Sequence, residues 1–303
     1  MPFGILNIDK PQEMTSRRAV DHIARLVKRA KAGHAGTLDP LATGVLIVCV
    51  GPATRLIPYI QEYRKVYRGR FRLGCRSDTD DITGKVQETS FEHAVARRDI
   101  ESLLSRFVGR IDQVPPKFSA VHVDGRRAYE LARRGQNVEL ASKSVEVFRI
   151  ELTEFHWPDF ALEIECGTGT YIRSIGRDLG EILGCGAVMT ALERTQIGLF
   201  SVDDAVTLDS LTLETLPIKL LSPIQAVSNF RRYHGNTEEL KMIGNGRSVS
   251  LDSDRLRGLA DAPLPSHGER IAIIGQNQQL AAIAEFRAEQ AVLVTKQVFA
   301  RPD

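Results

Sequence analysis

The sequence predicts an α+β fold: a mixed, mostly antiparallel sheet with a small β domain at the C-terminus. Three observations carry that expectation. Strand-like and helix-like segments do not alternate in a βαβ rhythm, which disfavours a doubly wound parallel sheet. VEVFRIELTEF and FALEIEC flank a Pro158-Asp159 turn as a hairpin pair. Near residue 230 the pattern changes to short apolar runs separated by polar turns, ending in RIAIIGQNQQLAAIAEFRAEQAVLVTKQVF. At 303 residues the chain is long for one core, so a large domain is expected over 1–232 and a small β domain over 233–303.

FGILNI is a short strand stopped by Asp9-Lys10-Pro11. Thr15 or Ser16 caps the next helix, whose buried face carries Val20, Ile23, Ala24 and Val27 at helical spacing. GHAGTLDP (33–40) is expected as a loop, because two glycines and a proline break regular structure. GVLIVCVG is a buried strand dominated by Val, Ile and Leu. KVYRGRFRL has a period of two: Lys65, Tyr67, Gly69, Phe71 and Leu73 share one face, and Val66, Arg68, Arg70 and Arg72 the other. SDTDDITG is a turn and 93–108 a helix. KFSAVHV and a VDG turn lead into a basic helix, RRAYELARRG, closed by Gly135. TYIRSIGRDLGEILG is a helix after a Gly/Thr turn.

Composition is ordinary for a globular chain, 43% hydrophobic and 26% charged. No run approaches the roughly 18 apolar residues of a membrane span, and the N-terminus lacks a secretory pattern, so the expected compartment is the cytoplasm. Cys49, Cys75, Cys166 and Cys185 form no C-x-x-C pair and are expected as free thiols. Net charge is only +2, yet basic residues gather locally. One stripe holds Arg17, Arg18, Arg25, Lys28, Arg29 and Lys31; a second Arg64, Lys65, Arg68, Arg70, Arg72 and Arg76; a third Arg126, Arg127, Arg133 and Arg134. Each alone reads as a solvated face, but together they point to a polyanionic partner. The arginine face of 65–73 is the expected floor or wall for a bound nucleic-acid backbone.

Several chemistries lack their motifs. There is no P-loop, no H-E-x-x-H or Cys/His cluster for zinc, and no G-x-S-x-G. GTGTYI lacks the third glycine of a dinucleotide fingerprint, and DTDDITG departs from a calcium loop at Ile82 and Thr83. Neither a metal nor a cofactor is expected. What remains is carboxylate chemistry, nucleophilic or acid–base, centred on Asp39 in its tight loop.

NIDKP at 7–11 followed by GHAGTLDPLATGVL resembles the signature of the TruB family, the tRNA pseudouridine synthases that modify the T-loop uridine. KVYRGRFRLGCRSDTDDITG, CGTGTYIRSIGRDLG and GAVMTALERTQIG are similar to that family's later motifs, in family order over about residues 3–205. LAAIAEF lies in a C-terminal segment similar to the PUA-type RNA-binding domain of bacterial members. The resemblance implies the pseudouridine synthase fold, whose sheet is split by a central cleft, and a cofactor-free isomerisation of tRNA position 55. The target uridine is flipped from the T-loop, its C1′–N1 bond is broken, and the base is rejoined through C5. Asp39 matches the essential aspartate, Tyr67 the tyrosine that stacks on uracil, as platform alone or as base too, and Arg173 the arginine paired with the aspartate. His34 matches the histidine that enters the T-loop, Leu192 a pocket-lining leucine, and Lys10 and Pro11 the pair supporting the pocket. Tyr171 and Arg194 complete the expected RNA-contacting set. The implied partner is the T-arm of tRNA, with no membrane and no small-molecule cofactor; the implied state is a monomer.

Four positions depart from the family pattern: Glu193 for a usual arginine, Gly167-Thr168 before GTYIR, Lys143 for an arginine and Ser77 for a threonine. Glu193 reverses a charge near the expected RNA. A nucleophilic Asp39 is expected to have a low pKa, pulled down by Arg173 against desolvation. Asp81 is a further candidate partner for a basic residue of the cleft. Deletion of 233–303 is expected to weaken tRNA binding and spare the chemistry. A binding protein that uses the same groove without turnover is the alternative reading; a glycosidase would need a second catalytic carboxylate that the motifs do not supply.

Overall fold

The structure, a computed structural model, describes residues 3–28, 30–91, 94–119, 121–123, 126–128, 131, 140–258 and 264–299. Its main sheet is assembled from β1 (Gly4–Lys10), β2 (Ala32–His34), β3 (Thr43–Val50) and β4 (Lys65–Leu73). Two strands, β5 (Cys75–Ser77) and β6 (Val86–Glu88), form a separate ribbon. The sheet resumes with β7 (Gly109–Gln113), while β8 (His122–Val123) and β9 (Arg126–Arg127) form a second ribbon. It is completed by β10 (Lys143–His156), β11 (Asp159–Cys166), β12 (Ala187–Ile197), β13 (Phe200–Ser201) and β14 (Val206–Thr207). The order is β14-β1-β3-β12-β4-β11-β10-β7, with β2 on β3 and β13 on β12.

Only β1/β14 and β3/β12 are parallel, so the sheet is mixed and mostly antiparallel. The β3/β12 join rests on two register pairs, Glu193↔Thr43 and Arg194↔Gly44. It is a narrow seam between two halves that are otherwise extensively paired. Gly44 has φ +91°, and a Cβ there would lie 2.3 Å from the Arg194 carbonyl oxygen, so the seam closes only on glycine.

The apolar run of β3 is explained by burial of both its faces. Leu46, Val48 and Val50 join Leu6 and Ile8 in a core with Ala19, Val20, Ile23 and Val27 of the helix Ser16–Val27. Val45, Ile47 and Cys49 join Ile5 in a second core that includes Ala272, Ile274, Leu280, Ile283 and Phe299. Those last residues belong to a five-stranded sheet, β15 (Arg231–His234), β16 (Val249–Ser250), β17 (Arg270–Ile274), β18 (Leu280–Arg287) and β19 (Val292–Val298), ordered β15-β17-β18-β19-β16. A capped helix, Thr237–Gly244, accompanies it, where sequence pattern alone suggests only strands. β15 runs across the junction expected at 232/233, so the C-terminal sheet already includes Arg231.

The shared core changes the expectation for a truncated chain. Removing 233–303 takes Ala272, Ile274, Leu280, Ile283 and Phe299 out of the core they share with β3, and with them the contacts of Arg270 with Glu62 and with the Tyr59 ring. The truncated chain is expected to lose cooperative unfolding and activity together, measured by urea denaturation and turnover. A truncation that unfolds as sharply as the full chain would contradict this.

Three further sequence expectations change. GHAGTLDP is not wholly a loop: Gly33 and His34 end the edge strand β2, paired to β3 at Cys49 and Val48. Arg126 and Arg127 lie in β9 rather than in a helix, and Arg133, Arg134 and Gly135 lie outside the described residues. Ala24 is only half-buried, and Ala19 takes its place in the helix core.

Candidate active site

The seam between the half-sheets is where the predicted residues meet. The Asp39 carbonyl accepts from Ala42 N at 3.0 Å, closing a turn with Pro40 in its second position. Buried Ser16 clamps the preceding residue: Leu38 N donates to Ser16 Oγ at 2.8 Å, and Ser16 Oγ donates to Leu38 O at 3.1 Å. Gly36, at φ +130°, lets the chain turn into this loop. Thr15 caps the helix, which frees Ser16 for the clamp.

Arg173 lies in the first turn of the helix Ile172–Ile182, with 5% of its side chain exposed. Its Nε is 3.0 Å from Asp39 Oδ2, close enough for a strong ion contact, although the N–H is not aimed along a hydrogen bond. Nη1 lies 3.3 Å from Asp81 Oδ2 and donates to Thr79 O at 2.9 Å; Nη2 donates to Phe118 O at 3.3 Å. One guanidinium therefore serves two carboxylates. Asp81 is buried and held by Thr79 Oγ1 at 2.8 Å, Thr83 N at 2.9 Å and Thr83 Oγ1 at 2.6 Å. The turn SDTDDITG thus acts as a clamp, with Asp80 paired to Arg177 at 2.8 Å beside it. Gln113 fixes the helix entry through Tyr171, accepting from its N–H at 2.7 Å and donating to its carbonyl at 3.0 Å. Neither Gln113 nor Ser16 carries a motif signal of its own; only the fold brings them to the site.

The expected low pKa of Asp39 is not what the structure gives. Dense packing around the carboxyl desolvates it and pushes its pKa up; Arg173 and Lys10 pull it down, and Asp81 pushes up again. The side chain is still 36% exposed, so water in the cleft screens part of both effects. Desolvation leads, and the arginine opposes it without overturning it. Activity requiring the Asp39 carboxylate is therefore expected to fall on acidification at a pH above the ordinary aspartate range. A pH–rate profile checks this, and an acid limb at or below about 3.9, the unperturbed value, would contradict it. The linked stability contribution has the opposite sense: it is full below the unfolded-state pKa and is lost as pH rises through the raised folded one.

Tyr67, half-buried on β4, points to the same seam; burial raises its phenol pKa, and Arg194 partly offsets this. His34 is half-buried and its pKa is lowered, first by burial and then by Arg194 and Arg17, so it is neutral at physiological pH. Leu192 is buried in the main core. Pro11 is exposed and Tyr171 half-buried. Lys10 and Arg194, expected at the RNA, are not surface residues. Lys10 is fully buried, donating to Pro11 O at 2.8 Å and Met14 O at 2.7 Å, and burial lowers its pKa to about 8. Arg194 is 1% exposed and bonds backbone carbonyls. Both brace the site from behind.

The arginine face of β4 is also reassigned. Arg64, Arg68, Arg70 and Arg72 pair with Glu165, Glu163, Glu154 and Asp159 on the face opposite Tyr67. Glu193 stands in register with Arg68, so the charge reversal falls on that paired face and not beside Tyr67. A cavity of about 310 Å³ lies there too, lined by residues that include Arg70, Arg72, Glu154 and His156; neither Asp39 nor Arg173 lines it. No group of three or more potential metal ligands occurs among the described residues, and no described helix is long and apolar enough to cross a membrane.

Residues 24–172 match the family described as TruB family pseudouridylate synthase, N-terminal domain, and residues 173–220 match the tRNA pseudouridylate synthase B C-terminal domain. The chain is 39% identical over 252 residues to tRNA pseudouridine synthase B of Microcystis aeruginosa, covering 82% of this chain and 85% of the relative. It is 38% identical over 281 residues to the protein of the same name from Syntrophotalea carbinolica, covering 92% and 90%. Among solved structures, an H/ACA RNP bound to a substrate RNA containing 2'-deoxyuridine superposes with TM-score 0.74 at 22% identity, covering 99% of this chain and 86% of that one. A Cbf5-Nop10-Gar1 complex gives 0.73 at 24%, with the same coverage. These two likenesses show a shared fold. With the seam geometry and the sequence matches agreeing, the chain belongs to the TruB family of pseudouridylate synthases, a family of isomerases.

Proposed function

We propose that this chain converts the T-loop uridine of tRNA, position 55, to pseudouridine, working as a cytoplasmic monomer that grips the T-arm. The observation that carries the reading is the Asp39–Arg173 ion pair, set at a seam that also holds Tyr67. Flipping the uridine costs a few kcal/mol of stacking. An aromatic platform returns about 1–3 kcal/mol, which is the role given to Tyr67. Neutral His34 fills the space the base leaves. Asp39, held as carboxylate by Arg173, promotes heterolysis of the C1′–N1 bond with the electron pair staying on uracil N1; the freed uracil turns, its C5 bonds to C1′, and the C5 proton leaves as N1 takes one up, so that product and substrate are isomers.

The phosphate contacts fall to the helix Ser16–Val27 and its C-cap, where Arg18, Arg25 and Lys28 are exposed. This is the same helix whose Ser16 clamps the catalytic loop. The C-terminal sheet is read as a PUA-like RNA-binding unit following the catalytic domain. A binding protein without turnover would have no use for a carboxylate set against a buried guanidinium at the base pocket. Incubation with an unmodified tRNA transcript, followed by pseudouridine mapping, tests the reading. A single product in the T-loop is expected; a product elsewhere, or none, refutes the assignment.

A further inference from the structure

Arg194 is the bulkiest fully buried side chain among the described residues. Its described hydrogen-bond partners are all neutral. Nε donates to Val45 O at 2.8 Å, Nη2 to Gly36 O at 3.2 Å, and Nη1 reaches Tyr67 Oη at 3.4 Å, with Thr37 O at 3.5 Å beside it. Register explains the reach: on β12, Arg194 stands opposite Tyr67 of β4 and Gly44 of β3 at once. One planar fork thus joins the start of β3, the backbone two and three residues before Asp39, and the phenol of the opposite half-sheet.

We propose that Arg194 is a positioning residue for the isomerisation, fixing the Asp39 loop and the Tyr67 hydroxyl relative to each other across the seam. The proposal rests on the reading of Asp39 and Tyr67 given above. A cation needed only to satisfy stranded carbonyls would have no reason to bridge the two half-sheets through a side-chain hydroxyl. The bridge also places a guanidinium without an ion-pair partner among the described residues beside the phenol, opposing the burial that disfavours its ionised form. The geometry requires a fork rather than a point charge: a lysine supplies the charge but cannot span divergent acceptors.

Arg194→Lys and Arg194→Gln in the full chain test this, read by single-turnover rate, tRNA affinity and thermal unfolding. Both are expected to lose about 10²-fold in rate, the order a small misplacement of reacting groups costs, with affinity for unmodified transcript within threefold of wild type. An Arg194→Lys enzyme at wild-type rate overturns the proposal. So does a loss in which rate, affinity and melting temperature fall together, since that marks a purely structural arginine. If neither variant folds, NMR of 15N-arginine-labelled protein decides. Tyr67→Phe should shift the Arg194 guanidinium resonances and speed their hydrogen exchange, and unchanged signals overturn the tie. This arm needs no turnover, so an inactive wild-type protein refutes the functional reading without deciding the role of Arg194.

Discussion

Asp39→Asn is expected to abolish pseudouridine formation while tRNA affinity stays within about tenfold, or about 1.4 kcal/mol. Asparagine keeps the size and polarity of the side chain, so the Ser16 clamp, the 39–42 turn and the packing around them persist. What disappears is the charge that Arg173 faces at 3.0 Å and the oxygen able to attack or take a proton. On the function proposed above, binding draws on Arg18, Arg25 and Lys28 at the Ser16–Val27 helix and on the C-terminal sheet, none of which touches the carboxylate. Primer-extension or mass-spectrometric detection of product, beside filter binding, measures both effects. Normal turnover in this variant would remove Asp39 from the chemistry.

Arg173→Met is expected to cost stability as well as activity. The side chain is 5% exposed and its partner Asp81 6%, so methionine strands a buried carboxylate whose other partners, Thr79 and Thr83, are neutral. Breaking a buried pair by removing one member costs about 3–5 kcal/mol. Most of that belongs to Asp81, because Asp39 is partly screened by the cleft. Without the guanidinium, desolvation and the Asp81 charge both favour the protonated Asp39, so turnover at neutral pH should fall with it. Urea unfolding and single-turnover assays read the two losses; a change in stability below about 1 kcal/mol would place Asp81's counter-charge elsewhere.

The parts of this architecture legible in the sequence were those governed by local periodicity. KVYRGRFRL alternates as its pleat does, the Thr15 cap begins its helix, and VEVFRIELTEF pairs with FALEIEC in the expected hairpin. The Asp39–Arg173 meeting came from the family resemblance, and the geometry agrees with it. What escaped depends on contacts distant in sequence. The arginine periodicity of β4 suggests a nucleic-acid wall, but the alternation sets those arginines opposite Tyr67, and Glu154, Asp159, Glu163 and Glu165 on neighbouring strands neutralise that face. Lys10 and Arg194 belong to the RNA-contacting set that the resemblance implies, but burial cannot be read from a charge; both spend donors on backbone carbonyls. The pKa of Asp39 differs from the expectation for a related reason: its counter-charge is visible as a motif, but the desolvation opposing it is a property of the packed cleft.

The central claim is that Asp39 sits in a desolvating cleft and owes its carboxylate form to Arg173. Titration of the 13C-labelled Asp39 carboxyl by NMR, in the wild-type chain and in Arg173→Met or a better-folded Arg173→Gln, tests it directly. The expected midpoint lies above the ordinary aspartate range in the wild type and moves higher when the guanidinium is removed. A wild-type midpoint at or below that range, or one indifferent to the loss of Arg173, would contradict the account.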